Sequence, residues 1–272
     1  DIYDWMLDSE HRQYSCALFK DINESLEQAQ TNKLAHIVKK LNLKPGQRVL
    51  DIGCGWGGLS RYIAKEVGCE VHGVSLASNQ IEHCKNKARE SKLDNLLSYE
   101  LKDYREIIGT WDRIVNVGFF EHVSPKFYKT FFKKISSLLK DDNSICLTHT
   151  IASTNSPNAV NPFINKYVFN GGKIPTASQL TKAIEGSGLV ISGWESLIDH
   201  YNLTLDHWRK RFLQNVDKAK KTYGSDFVRL WDFYLSSCSA AFKWSDLLVY
   251  QIETVKNFTA IPSRTRDYIY NS

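Results

Sequence analysis

The sequence predicts an α/β protein in which a mostly parallel β-sheet carries helices on both faces. Three observations lead to this prediction. Short apolar strands alternate with helical segments of about 10–15 residues between 48 and 151, which is the pattern of successive βαβ units. A glycine-rich turn directly follows the first of these strands, as in open α/β sheets that bind ligands at strand ends. The length of 272 residues and the 42% hydrophobic content allow one full-sized core.

Each expected strand is a short run rich in apolar and β-branched residues, and each expected helix repeats apolar residues at three- and four-residue intervals. Lys44-Pro45-Gly46-Gln47 forms a turn between the first helix and the first strand. The expected strands are 48–53, 70–75, 97–101, 112–117, 144–151, 189–194 and 247–255. The expected helices are 26–41, 59–67, 77–91, 127–139, 176–185, 204–223 and 226–242.

The alternation breaks at 152–175, which contains three of the six prolines together with several asparagines and glycines. A weakly periodic insertion of this length inside a compact domain is typically a functional loop. Its aromatic residues Phe163, Tyr167 and Phe169 are expected to line an apolar cavity. The segment is therefore predicted to be a lid of helix and loop, and 256–272 is predicted to be a C-terminal tail.

The net charge of +5 is mildly basic and permits an anionic partner without requiring one. Basic residues concentrate at 124–140 and 207–229, and two interpretations stay open: solvated helix faces, or surfaces for phospholipid headgroups or nucleic acid. No apolar run approaches the roughly 18 residues of a membrane span. None of the six cysteines stands at metal-ligand spacing, so we predict no metal site and expect reduced thiols in a cytosolic protein.

The sharpest motif runs from Val49 to Gly58, where an apolar strand enters a glycine-rich turn that opens a helix. Glycines allow positive φ angles and close approach of a ligand, and the helix N-terminus offers free N–H groups to an anion. A purely structural turn stays open, and the spacing alone does not exclude a dinucleotide-binding turn. The order Asp51-x-Gly-x-Gly-x-Gly57 resembles the signature of S-adenosylmethionine-dependent methyltransferases.

A wider set of motifs follows in order along the chain. They are Gln13-Tyr-Ser-Cys16, Gly53-Cys-Gly-Trp-Gly-Gly58, Phe120-Glu-His122, Leu147-Thr-His-Thr-Ile151, Phe163-Ile-Asn-Lys-Tyr-Val-Phe169, Tyr201 and Ser237-Cys-Ser239. Together they resemble the cyclopropane-fatty-acyl-phospholipid synthase family, which includes the mycolic acid cyclopropane synthases. The resemblance extends from Tyr3 to about Val255, and Asn165–Phe169 with Ile174-Pro175 is closer to the bacterial phospholipid branch.

The resemblance implies the fold of class I methyltransferases, a Rossmann-like sheet whose last strand is antiparallel. It implies a catalytic domain at 1–255, with 1–44 as a helical cap over the cofactor and 152–175 as a lid at the lipid site. In the family a smaller lipid-binding domain precedes the catalytic domain. We expect that domain to be absent from this chain, which begins at Asp1.

The same resemblance implies S-adenosylmethionine as the cofactor. Its amino-acid end would lie over Gly53, Gly55 and Gly57. Ser75 stands where most methyltransferases carry a ribose-binding acid, although a serine there is also a favoured helix N-cap. The remaining expected cofactor contacts are Tyr14 and Ser15 on the N-terminal side, Asp51 in the turn motif, Leu76 and Gln80 beside Ser75, Asp103 at the adenine amino group and Tyr104 on the adenine ring.

The implied reaction is methyl transfer to a cis double bond of a phospholipid acyl chain, followed by proton loss from the resulting carbocation to close a cyclopropane ring. In the family the base is a bound bicarbonate, which suffices where water is kept out. The resemblance implies that this ion is held by the backbone at Cys16 and Ile151 and by the side chains of Glu121, His149 and Tyr201. The family also carries a cysteine at the position of Cys238, for which we favour a structural or cavity-lining role. A carboxylate can accept from bicarbonate, whereas histidine and tyrosine can donate to it.

Other interpretations stay open from the residues alone. Taken singly, His149, Glu121 and Tyr201 are also compatible with a buried histidine, a helix-start carboxylate and a core aromatic residue. A small-amine N-methyltransferase would need neither bicarbonate nor a membrane, and a lipid methyltransferase could end with a methyl-branched product. A nucleic-acid-binding module lacks a recognition motif and leaves the glycine turn unexplained, so we expect no nucleic-acid partner.

The resemblance also implies a partner and a location. We expect a membrane phospholipid with unsaturated acyl chains as the partner, contacted peripherally through the basic helices. The expected location is the cytoplasm, at the inner face of the membrane. The sequence leaves open whether the protein forms a homodimer.

Overall fold

A single seven-stranded sheet forms the centre of the computed structural model, which describes residues 1–155, 160–263 and 265–270. Its strands are β1 (Arg48–Ile52), β2 (Glu70–Ser75), β3 (Leu97–Leu101), β4 (Arg113–Val117), β5 (Ile145–Ser153), β6 (Val190–Leu197) and β7 (Leu247–Val255). Their order across the sheet is β3-β2-β1-β4-β5-β7-β6. The first five strands are parallel, and β7 is antiparallel to both β5 and β6. The predicted fold class, with its antiparallel last strand, is confirmed.

Helices surround this sheet. They are α1 (Ile2–Met6), α2 (Leu26–Lys40), α3 (Gly58–Val67), α4 (Ser78–Glu90), α5 (Tyr128–Leu138), α6 (Pro162–Tyr167), α7 (Ala177–Glu185), α8 (His200–Gln214), α9 (Val216–Tyr223), α10 (Ser225–Trp244) and α11 (Asp267–Tyr270). The helix predicted at 204–223 is divided into α8 and α9. The division falls at Asn215, whose side-chain amide donates to the carbonyl oxygen of Arg211 at 3.0 Å and so competes with the helical backbone pattern.

The predicted lid at 152–175 contains a short helix, and its residues 156–159 lie outside the described part of the chain. Asn161 caps α6 by accepting a hydrogen bond from the backbone N–H of Phe163 at 2.9 Å, and Pro162 occupies the first helical position. Strand β5 extends into the insertion as far as Ser153, which pairs with Thr176 in an isolated parallel bridge. This bridge closes the base of the insertion.

Three apolar clusters give the molecule its layers. Helices α5 and α7 cover one face of the sheet, and α2, α3 and α4 cover the other. A third cluster joins the N-terminal segment and α1 to α8 and α10. Burying each large apolar side chain stabilises the fold by about 1.5–3 kcal/mol, so this third cluster holds a second layer beyond the carboxyl ends of β4 and β5.

The segment before α2 is fixed against the start of α3. A Cβ atom on Gly58 would lie 2.0 Å from the carbonyl oxygen of His11, so only glycine permits this approach. The fully buried Lys33 donates to the side-chain oxygen of Gln13 and, at 3.0 Å, to the hydroxyl of Ser15. These contacts hold residues 11–16 over the carboxyl end of β1.

The predicted tail, 256–272, contains a 3₁₀ helix at Phe258–Ala260 and α11; its residues 264 and 271–272 lie outside the described part. Arg266 donates to Glu253 Oε1 at 2.7 Å and to the carbonyl oxygen of Ser192 at 3.2 Å. Glu253 is 2% exposed. Gly193 leaves the space for this ion pair, since a Cβ there would lie 2.4 Å from the guanidinium group. Arg266 therefore anchors the C-terminal residues to β6 and β7.

Replacing Arg266 with alanine should lower the free energy of unfolding by about 1–3 kcal/mol, because the buried Glu253 carboxylate loses its nearest cation. Lys40 lies 3.9 Å from the same carboxylate and compensates only in part. The measurement is urea denaturation, with Arg229→Ala as the control. Arg229 pairs with Asp226 at the surface, where both side chains are largely exposed, so its loss should change stability by less than about 0.5 kcal/mol. Equal losses in the two variants would contradict the anchoring role.

Candidate active site

The glycine-rich turn after β1 has three positive-φ glycines, and each meets different surroundings. Gly55 has φ +53 and a Cβ there would meet no atom within 4 Å. A Cβ on Gly53 would lie 2.7 Å from the ring of Phe119. A Cβ on Gly57 would lie 2.7 Å from Cys84 Sγ, and Gly57 is the N-cap of α3. Gly55 thus opens onto free space, whereas Gly57 is required by packing.

A cavity of about 580 Å³ lies over this turn, and we call it the glycine-turn cavity. A neighbouring cavity of about 380 Å³ shares part of its wall. Ten of the eleven predicted cofactor contacts line the two: Tyr14, Ser15, Asp51, Gly53, Gly55, Ser75, Leu76 and Gln80 line the first, and Asp103 and Tyr104 line the second. The eleventh, Gly57, lines neither and stays a prediction without geometric support.

The polar groups of the glycine-turn cavity already have local partners. Asp51 is buried and accepts a hydrogen bond from Ser60 Oγ at 2.6 Å, and burial raises the pKa of its carboxyl to about 6. Ser75 Oγ donates to Gln80 Oε1 at 3.1 Å. In the neighbouring cavity, the carboxylate of Asp103 is held by the guanidinium of Arg105, which lowers the pKa of Asp103. A ligand donor at Asp103 would therefore share that carboxylate with Arg105.

A second cavity of about 230 Å³ lies beyond the ends of β4 and β5, and we call it the apolar cavity. Aliphatic and aromatic side chains from the lid and from α10 form much of its wall, among them Ile164, Phe169, Ile174 and Phe242. All six predicted catalytic residues line it: Cys16, Glu121, His149, Ile151, Tyr201 and Cys238. The structure thus gathers into one cavity residues that are 222 positions apart at the extremes.

Glu121 is the buried acid of this cavity. Its Oε1 accepts a hydrogen bond from the backbone N–H of Ile151 at 2.6 Å. Its Oε2 is buried and has no partner among the described residues. Burial raises the pKa of the carboxyl to about 7, and the Ile151 N–H offsets this only in part. The side chain can therefore either accept or donate near neutral pH.

His149 and Tyr201 are neutral at physiological pH. Burial lowers the pKa of His149 well below its ordinary value, and Gln251 Nε2 faces His149 Nδ1 at 3.2 Å. Because an amide nitrogen is a donor, the imidazole proton lies on Nε2. Burial raises the pKa of Tyr201 far above its ordinary value. Its hydroxyl makes no hydrogen bond within the described ranges. Both side chains can donate to an oxygen anion.

The two cysteines of the cavity are protonated thiols. Burial raises the pKa of both, that of Cys238 to about 12, and a thiol without thiolate character is a poor nucleophile. Cys16 Sγ donates to the carbonyl oxygen of Ala17 at 3.3 Å, while no acceptor for the Cys16 backbone N–H is found in the part of the chain that the structure describes. Cys238 thus lines the cavity, and Cys16 offers its amide.

The apolar cavity and the glycine-turn cavity share one wall. Tyr14, Ser15, Gly118 and His122 line both. Gly118 has φ +64, and a Cβ there would meet no atom within 4 Å. Its N–H donates to the carbonyl oxygen of His149 at 2.9 Å, which fixes it at the end of β4. A group bound at the glycine turn would therefore face the buried acid and histidine across this wall.

The chain matches a known protein family over nearly its whole length. A sequence profile described as mycolic acid cyclopropane synthetase matches residues 1–252. The chain belongs to the mycolic acid cyclopropane synthetase family. The resemblance inferred from the motifs is thereby confirmed.

Individual members of this family resemble the chain over most of its length. The cyclopropane-fatty-acyl-phospholipid synthase of Escherichia coli is 40% identical over 253 residues, which cover 93% of this chain and 64% of that protein. The chain thus spans less than two thirds of that relative. The structure of cyclopropane synthase MmaA2 from Mycobacterium tuberculosis superposes with a TM-score of 0.89 at 28% identity, covering 94% of this chain and 93% of the other.

A second solved family member carries ligands. Mycolic acid cyclopropane synthase CmaA1, complexed with SAH and CTAB, gives a TM-score of 0.88 at 28% identity, covering 94% of each chain. The fold is shared more widely, since coclaurine N-methyltransferase gives a TM-score of 0.82 at 24% identity over 93% of this chain and 79% of that one. The latter likeness concerns the fold alone. Family members and this amine methyltransferase therefore have one fold in common.

Two residues of the candidate site were not predicted from the sequence. Gly118 was not singled out, and His122 was noted only as part of the Phe120–His122 motif, yet both line the shared wall. A glycine directly after an apolar strand was the available signal for Gly118.

Among the described residues there is no cluster of three or more metal-ligating side chains, and no helix there is long and apolar enough to cross a membrane.

Replacing Glu121 with glutamine should stabilise the protein at high pH more than at low pH. The folded-state pKa of about 7 lies above the ordinary value of about 4.3. Stability from the protonated carboxyl is therefore present at low pH and is lost as pH rises through 7. Between pH 5 and pH 8 the variant should gain about 2–3 kcal/mol relative to the wild type.

Urea denaturation of both proteins at the two pH values measures this gain. Glu66→Gln, at an exposed position of α3, controls for the substitution itself. A difference between Glu121→Gln and the wild type that is the same at pH 5 and pH 8 would show that Glu121 does not titrate in this range.

Proposed function

We propose that the protein transfers the methyl group of S-adenosylmethionine to the cis double bond of an unsaturated phospholipid acyl chain and closes a cyclopropane ring. The observation that carries this proposal is the wall shared by the glycine-turn cavity and the apolar cavity. One cavity contains Asp51, Ser75 and Gln80 and is bordered by a helix N-terminus, and the other has a mostly apolar wall and contains buried acid–base groups. The names of the relatives support the same chemistry.

The glycine-turn cavity fits S-adenosylmethionine. Gly55 leaves a space that any side chain would fill, and the N-terminus of α3 favours a carboxylate. Ser75 and Gln80 would hold the ribose, and Asp103 and Tyr104 would meet the adenine. When bound, the sulfonium supplies an activated methyl group. The SAH complex of CmaA1 supports this cofactor for the family.

The apolar cavity fits a bicarbonate ion as the base. The unpaired Oε2 of Glu121, the free hydroxyl of Tyr201 and the Nε2–H of His149 offer it an acceptor and two donors in one place. The amide of Cys16 adds a third donor. The Ile151 N–H already donates to Glu121, so we assign it the orientation of that carboxyl rather than a direct bond to the ion. Bicarbonate would accept the proton released on ring closure.

The apolar wall is suited to a hydrocarbon chain and a transient cation. Aliphatic and aromatic side chains from the lid and α10 exclude water, which would otherwise trap the carbocation as an alcohol. In such surroundings a nearby negative oxygen acts strongly on a developing positive charge, because little solvent screens it. Tyr201 packs against Phe242 with ring centroids 4.5 Å apart, which orients its hydroxyl.

One observation favours a second candidate, an amine N-methyltransferase. The unpaired oxygen of Glu121 would also suit an ammonium or amine ligand, and coclaurine N-methyltransferase has the same fold. Such an enzyme would leave the Tyr201 hydroxyl and the Cys16 amide without a role. The phospholipid substrate, peripheral membrane contact and a cytoplasmic location at the inner membrane face are part of the first proposal.

The product decides between these candidates. Purified protein with S-adenosylmethionine and vesicles of a monounsaturated phospholipid should yield acyl chains heavier by one CH₂ group that resist ozonolysis, because a ring has replaced the double bond. Mass spectrometry measures this change. Acyl chains that gain one CH₂ group but are still cleaved by ozone indicate a methylene product. Acyl chains that gain one CH₂ group and two further hydrogens indicate a saturated methyl branch. Methylation of an amine with no change in the acyl chains would support the second candidate.

Glu121→Gln and His149→Ala should each lose about one to two decades of turnover, because each leaves a buried anion short of a partner. Affinity for S-adenosylhomocysteine, measured by calorimetry, should change little, since neither residue lines the glycine-turn cavity. Buffer depleted of carbonate should slow the wild type, and Glu66→Gln serves as the matched control. Full turnover of Glu121→Gln in carbonate-free buffer would rule out bicarbonate as the base.

A further inference from the structure

Three large aromatic side chains are exposed on the two helices that border the apolar cavity. Tyr167 on α6 is 52% exposed, and Phe233 and Trp244 on α10 are 54% and 79% exposed. We call these three residues the aromatic rim. Folding normally removes such surfaces from water, and grouped exposed apolar side chains indicate an interaction site.

The rim is continuous with the cavity wall. Helix α6 contributes Ile164 to the cavity, and α10 contributes Cys238 and Ala241. The ring of Phe163 joins the two helices, since its centroid lies 5.2 Å from that of Tyr167 and 4.8 Å from that of Phe233. The inner sides of α6 and α10 thus face the cavity, while their outer sides carry the rim.

The exposed residues of α10 form one stripe. Phe233 and Trp244 are eleven residues apart, which is about three turns, so they project in the same direction roughly 16 Å from each other. Arg229 and Ala240 lie on the same side of the helix and are also exposed. A flat partner could therefore contact Arg229, Phe233 and Trp244 at once.

Lysines accompany the rings. Lys166 Nζ lies 4.8 Å from the ring centroid of Tyr167, and Lys243 Nζ lies 5.2 Å from that of Trp244. Tyrosine and tryptophan are favoured at the level of lipid headgroups because one end of each ring system is apolar and the other is polar. Lysine extends its apolar stem along such a surface and keeps its charge at the phosphates.

The acidic groups next to the rim are engaged within the protein. Asp232 accepts from Arg209 at 2.7 Å, Asp226 accepts from Arg229 at 2.7 Å, and Asp246 accepts from Ser153 at 2.6 Å. The rim therefore presents rings and ammonium groups outward, which complements an anionic, partly apolar surface.

Several cations on the basic helices predicted to contact the membrane are engaged within the fold. Arg211 is paired with Glu27, and Lys140 is paired with Asp112. Lys134 Nζ donates to the carbonyl oxygen of Ile107 at 2.6 Å. Each of these cations would have to leave a partner within the fold to bind a phosphate.

We propose that the aromatic rim is the surface by which the protein docks on a phospholipid bilayer. The rings of Tyr167, Phe233 and Trp244 enter the headgroup region, and Lys166 and Lys243 contact lipid phosphates. This inference rests on the proposed function, because an acyl chain must pass from the bilayer into the cavity that α6 and α10 enclose. A docked rim places those two helices against the bilayer, so the chain has a short path.

The test is sedimentation with vesicles of dimyristoyl phosphatidylglycerol and phosphatidylcholine, held above their gel transition. These lipids have no double bonds, so docking is measured apart from turnover. The double variant Phe233→Ser/Trp244→Ser should lose about tenfold or more in partitioning. Two controls should bind like the wild type: Phe258→Ser, a 69% exposed ring outside the rim, and Lys129→Gln/Lys133→Gln on the basic face of α5.

The outcomes separate the two proposals. Partitioning of the rim variant equal to that of the wild type, or no binding of the wild type, would overturn the docking proposal. A loss confined to Lys129→Gln/Lys133→Gln would assign docking to the basic helices instead. A further outcome is a smaller particle in velocity sedimentation for the rim variant than for the wild type and both controls, while vesicle binding is unchanged. That result would show that the rim is a contact between two copies of the chain. Wild-type binding through the rim without methylation of unsaturated lipid would sink the proposed function and leave docking intact.

Discussion

A buried ammonium group fixes the wall that separates the two cavities. Lys33 on α2 donates to Gln13 and to Ser15, and so holds both neighbours of Tyr14. Burial lowers the pKa of Lys33 to about 8, so the group is still largely charged at neutral pH. A buried charge without partners is costly, and residues 13–15 therefore cannot move away from α2 without a large loss of stability. The wall is rigid on this side, and on the other side Gly118 is fixed by its hydrogen bond to His149 in β5.

The groups of the apolar cavity carry little permanent charge. Glu121 has a pKa of about 7, His149 and Tyr201 are neutral, and Cys238 keeps its proton. A hydrocarbon can therefore enter without stripping water from fixed ions. The lining also contains the basic side chain of Lys173, and Glu121 carries a partial negative charge near neutral pH. In the proposed reaction the other full charges are those brought by the cofactor, the bicarbonate ion and the carbocation.

Much of the sheet and of the candidate site could be predicted because local signals sufficed. Strands were apolar runs ended by glycine or polar residues. Glu121 follows the end of β4, and His149, in the middle of β5, lies opposite the last residue of β4. Other features depend on side-chain contacts that the sequence pattern does not show. Gly57 follows the expected glycine spacing, yet its surroundings are Cys84 and a helix cap. The break at Asn215 depends on one side-chain bond that competes with the helix. The aromatic rim could not be predicted from the sequence, because it depends on which side of α10 faces the cavity.

Gly118 combines a positive φ angle with a place in the wall that both cavities share, and a Cβ there would meet no protein atom within 4 Å. Any other residue would strain the backbone and would place its side chain at that wall. In the proposed reaction, the cofactor and the acyl chain would approach the wall from opposite sides. A substitution at this one position would then act on the binding of both ligands at once.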